Sequence, residues 1–153
     1  MFEVIDREII ISKKFLAFKE DSLDTEIEVI LSKSLIITIC SSYEEEIQKI
    51  IEKRLESCTD LDLTRFTLSI LKGKQYLSYS DLKGKILDKF GESYVTKFES
   101  FTNPQIISDY DSLISGRHKG SHTTKFSGTF NDVVNYHNQG KGIIIAFQNT
   151  LKI

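Results

Sequence analysis

The first 72 residues contain no glycine and no proline: all eight glycines fall at or after Gly73, and the single proline is Pro104. That absence removes the strongest helix breakers from nearly half of the chain. Long apolar runs are also missing. The longest, Leu35 to Cys40, is interrupted by Thr38 and falls far short of the ~20 residues of a membrane-spanning helix, so no membrane partner is expected. The amino terminus, MFEVIDREII, carries acids where a secretory signal carries basic residues and then an apolar stretch, so export is not expected and the cytoplasm is. Cysteine occurs twice, as Cys40 and Cys58, without CxxC spacing, and reads as reduced thiols with no metal or redox role.

What is present is ordinary globular material. The 153 residues are 40% hydrophobic and 27% charged, which suits one folded domain spanning 1–153 with a substantial core. The net charge of −2 hides an asymmetry. Acids concentrate in the first half, and none lies between Ser112 and Asn131, where Arg117, His118, Lys119, His122 and Lys125 all fall. A basic stretch without acids, in a mildly acidic chain, suits an anionic ligand such as a phosphodiester; the plainer alternative is a solvated basic loop.

Apolar residues recur in steps of three and four, which is the spacing of one helical face. They predict a first helix over about Val4 to Lys19 and a long second helix over about Asp24 to Glu56. Glu45 and Lys49 are placed to support the second as an i, i+4 pair. The β-branched run from Leu35 to Ile39 could also form a strand, but its strongly helical flanks favour helix. A capped helix is expected from Thr59 and Asp60 to Leu71, and another from Ser80 and Asp81 to Phe90, stopped by Gly91. Asn103-Pro104 opens a further helix, with Ile106, Ile107, Tyr110, Leu113 and Ile114 on one face, ending near Gly116 to Gly120. Two last helices, about Thr129 to Asn138 and Ile143 to Leu151, are expected on either side of Gln139-Gly140-Lys141-Gly142.

Two of the three histidines, His118 and His122, lie in the basic stretch, one residue and five residues after Arg117. On an unbroken helix positions 117 and 122 would stand ~140° apart around the axis; a break at Gly120 would bring them together. A second arrangement needs the helix intact: Asp111, His118 and His122 would then share one face suited to a metal ion, although Arg117 and Lys119 place positive charge beside it. The third histidine, His137, reads as a hydrogen-bonded core residue.

Arg117, His118 and His122 match the hallmark of HEPN domains, which is an arginine, a following Asn, Asp or His, and a histidine after four to six intervening residues. The segment from Ser32 through Leu35 to Tyr43-Glu44-Glu45-Glu46-Ile47 looks like the long second helix of the RiboL-PSP-HEPN subgroup. The chain therefore resembles an all-α, HEPN-like up-and-down helical bundle with additional short helices. The resemblance implies a metal-independent endoribonuclease without cofactors, acting as a homodimer on RNA, commonly as a toxin or an anti-phage effector beside an antitoxin or operon partner. Arg117 would stabilise the charge of the phosphorane. His122 would be the general acid or base, aided by His118, and products would end in a 2′,3′-cyclic phosphate. Lys119, Ser121 and Lys125 would add phosphate contacts. The alternative within the same fold is a non-catalytic module that grips a partner protein or nucleotide.

Overall fold

The computed structural model describes residues 1–17, 24–56, 59–60, 64, 78–122 and 128–152, with residues 24 and 118–122 described by their backbone alone. Among the described residues all regular structure is helical: α1 (Glu3–Ala17), α2 (Asp24–Leu55), an irregular α3 made of Tyr79–Asp81, Leu82–Ile86 and Leu87–Lys89, then α4 (Glu92–Ser100), α5 (Pro104–His122) and α6 (Phe130–Leu151). None of these helices is long and apolar enough to cross a membrane.

The all-α expectation is met, and most helix starts follow local chemistry. The β-branched run inside α2 is helical because Leu35, Ile36 and Ile39 are all buried there. Burying each such side chain is worth about 1.5–3 kcal/mol, against a propensity deficit of a few tenths. Asn103 Oδ1 accepts the N–H groups of Gln105 and Ile106, capping α5 with Pro104 in its first position. Ser78, rather than Ser80, caps α3, in a reciprocal box with Asp81. The middle of α3 is a π turn, with the Leu87 N–H reaching back to Leu82 O. Gly91, at φ 115°, ends the segment as expected.

Three expectations are corrected. Thr129 and Asp132 form a capping box for α6, but α6 continues to Leu151 through Gly140 and Gly142 instead of dividing there. Gly140 serves close packing rather than a turn, because a Cβ there would lie 2.9 Å from the Tyr110 backbone nitrogen. Likewise α5 does not stop at Gly116 to Gly120 but runs to His122. A single helical glycine costs only about 1 kcal/mol relative to alanine, which continued backbone hydrogen bonding and packing offset. Finally, Lys49 bonds Glu46 at 3.0 Å, one residue from the expected Glu45. The short helix α4 has no counterpart in the sequence reading, and it buries just Phe98. The helix expected from Thr59 to Leu71 lies outside the described residues, apart from Thr59, Asp60 and Thr64; the Thr64 N–H and hydroxyl both donate to Asp60 O.

Residue pairings give the helix directions. Phe2 meets Tyr43 and Glu8 meets Ser34, so α1 runs opposite to α2. Tyr43 stacks on Tyr110 and Cys40 faces Leu113, so α5 also opposes α2. Gly140 faces Tyr110 and Gly142 faces Ile106, so α6 returns against α5. The four long helices thus alternate in direction along the chain. Their shared core includes the fully buried Tyr43 and Tyr110, stacked on each other, with Ile39, Leu113, Val133, Ile144 and Phe147.

Candidate active site at the seam of α2 and α5

Ile106, Tyr110, Leu113 and Arg117 follow one another in steps of four, three and four along α5. Arg117 therefore ends the stripe that faces the core. A helical side chain leans toward the start of its own helix, and α5 opposes α2, so the Arg117 side chain runs along α2 toward its carboxyl-terminal half. Its Nη1 reaches 3.0 Å from Glu44 Oε1, with 13% of the Arg117 side chain and 26% of the Glu44 side chain exposed. A pair this enclosed is shielded from much of the screening that makes surface ion pairs weak.

Cys40, one turn before Glu44, sits under this contact and donates from Sγ to Leu113 O at 3.6 Å. Burial pushes its thiol up to about 12, against the opposing pull of the Arg117 guanidinium, so at neutral pH it is a protonated packing group and not a nucleophile. Lys33, Ile36, Ile37 and Gly116 line a small dent together with Arg117.

Past Arg117 the backbone of α5 stays helical through His118, Lys119, Gly120 and Ser121 to His122, so the break expected at Gly120 is absent. On this helix positions 117 and 122 are ~140° apart around the axis, and positions 118 and 122 ~40° apart. The side chains of His118, Lys119, Ser121 and His122, and the whole of Lys125, lie outside the described residues. The carboxylate of the metal alternative is engaged elsewhere, since Asp111 Oδ1 accepts the Tyr79 N–H at 2.9 Å. Among the described residues no group of three or more His, Cys, Asp or Glu is placed to hold a metal.

His137 is fully buried, with Nδ1 2.9 Å from the Tyr43 hydroxyl and the ring edge-on to Phe2. Desolvation, assisted by Lys141 and opposed by Asp6, pushes its pKa down to about 4, which keeps the imidazole neutral. It is the core histidine its sequence context suggests.

Glu44 is the site residue that reading by spacing passed over. It sits in a run of three glutamates, and i, i+4 charge pairing draws attention to Glu45. The signal that singles out Glu44 is its phase: one turn past buried Cys40 and directly after buried Tyr43, it occupies the edge of α2 that faces α5.

Helix order, long second helix and an arginine-to-histidine motif near the end of α5 together define a HEPN-type bundle. The RiboL-PSP-HEPN family model matches residues 3–152, and the chain belongs to that family. No curated protein and no solved structure matches the chain.

Proposed function

We propose that the protein is a metal-independent endoribonuclease that uses Arg117 and His122, helped by His118. The observation that carries this reading is the placement of Arg117. The first residue of the motif is held by a carboxylate on a neighbouring helix, at the start of the acid-free basic stretch, in a chain matched to a HEPN family over 3–152. RNA brings its own nucleophile, so the protein needs only proton transfer and charge stabilisation. A histidine removes the 2′-hydroxyl proton as that oxygen attacks phosphorus, and a protonated histidine returns a proton to the departing 5′-oxygen. Arg117 stabilises the charge that builds on the phosphorane oxygens. Lys119, Ser121 and Lys125 steer the strand.

An intact helix sets positions 117 and 122 on different sides of α5, so one copy supplies the two groups from separate edges. A homodimer with α5 helices facing across a two-fold axis closes a composite cleft from both copies. On this reading the protein acts as a cytosolic toxin or anti-phage effector, with an antitoxin or operon partner as its control. Product chemistry tests the reading: fragments ending in 2′,3′-cyclic phosphate support it, and 3′-hydroxyl ends contradict it.

The second reading is a binding module for a partner protein or nucleotide, in which Arg117 only ties α5 to α2. It draws on the burial of Arg117, since a mostly enclosed guanidinium is also what a structural ion pair requires. Intact RNA after incubation, with tight nucleotide or protein binding, would favour it.

A further inference from the structure

We propose that Glu44 is the positioning residue of the site: its carboxylate orients the Arg117 guanidinium for the phosphate without touching the substrate. The inference rests on the ribonuclease reading above. An arginine side chain has four rotatable bonds, and a free one would bring its charge to the phosphorane in many orientations, each needing to be narrowed during the reaction. Here only 13% of the side chain is exposed, and its Nη1 lies 3.0 Å from Glu44 Oε1 as an ion pair. A guanidinium is a rigid plane, so a carboxylate that holds one edge of it sets the direction of all five N–H donors.

The carboxylate is itself fixed in place. Glu44 follows Tyr43, which is buried, stacked on Tyr110 with centroids 5.8 Å apart, and bonded to His137 at 2.9 Å. That stretch of α2 is locked against both α5 and α6, so the Glu44 backbone cannot drift. Its neighbours do other work: Glu46 holds Lys49, and Glu45 is exposed. Three consecutive glutamates thus differ in role by helical phase alone.

This arrangement makes an asymmetric prediction. Glu44 places a negative charge near the incoming phosphate, which opposes binding, while fixing the group that stabilises the transition state. Glu44→Gln keeps the length and removes the charge. Its kcat for cleavage of a short RNA should fall about 10- to 100-fold while KM stays level or drops. Glu44→Asp, one methylene shorter, should lie between the two, and it decides the matter if the Gln variant does not fold. Each rate is referred to folded protein by circular dichroism. A kcat that is unchanged per folded molecule, with only a lowered melting temperature, overturns the proposal and makes Glu44 purely structural. Faster cleavage by Glu44→Gln also overturns it, because Glu44 would then mask Arg117. Wild-type protein that cuts no RNA sinks the nuclease reading and this inference together. Wild-type cleavage that is lost in Arg117→Ala but intact in Glu44→Gln sinks this inference alone.

Discussion

Gly140 on α6 lies so close to Tyr110 on α5 that a Cβ would fall 2.9 Å from the Tyr110 nitrogen and 3.0 Å from its Cα. The atoms in the way are backbone and cannot swing aside, so the missing side chain sets how closely the two helices approach. Gly140→Ala should therefore destabilise the protein by about 1–3 kcal/mol, despite the better helix propensity of alanine. Gly142→Ala is the control, because its Cβ would meet Ile106 Cδ1 at 3.5 Å, an ordinary contact. It should be neutral or stabilising by up to ~1 kcal/mol. Urea denaturation of both variants checks the contrast; equal effects would mean that the close approach does not limit packing.

Acid should unfold this protein through His137. The group is held neutral in the folded state, at about 4, and returns to its ordinary value near 6.5 on unfolding. The sign follows: the contribution is complete above about pH 6.5 and is lost as pH falls toward 4, amounting to roughly 3 kcal/mol when fully lost. Tyr43 and Phe2 pack on the ring, Lys141 opposes its protonation, and Asp6 favours it, so no facing group reverses the direction. Chemical denaturation between pH 7.5 and pH 4 in the wild type and in His137→Gln measures the difference. The variant should lose less stability over that range; parallel curves would remove His137 from the explanation.

The long helices could be read from residue spacing because an amphipathic stripe reports burial directly. Ile5 and Ile9, Leu35, Ile47, Ile50 and Ile51, and Tyr110 with Leu113 face the core that their spacing implied, whereas Ile10, Phe15 and Ile30, spaced in the same steps, are exposed. Breaks were harder to place. Gly140 and Gly120 carry the same local signal as a turn, and what keeps Gly140 helical is a neighbouring backbone that is distant in sequence. The irregular course of α3 likewise depends on tertiary burial of Leu82, Ile86 and Leu87. Arg117 was visible from its motif, whereas its partner Glu44 was not, because a contact between α2 and α5 depends on which edge of each helix meets the other.

Breaking the contact between Arg117 and Glu44 should also be felt in stability. Both groups are at most about a quarter exposed, so removing either takes an opposite charge away from the other in a partly dry seam. Single alanine variants should each lose about 1–3 kcal/mol, and the double variant should lose less than their sum by roughly 1 kcal/mol. Additive losses in a double-mutant cycle would mean that the two side chains are near each other without coupling.

The most direct measurement is incubation of purified protein with RNA in excess chelator, comparing wild type with Arg117→Ala and His122→Ala under the same conditions. Cleavage by the wild type that both substitutions abolish, in variants that remain folded, is the expected result. Undiminished cleavage in either variant, or an RNA left whole by the wild type, would contradict the assignment of the reaction to these two residues.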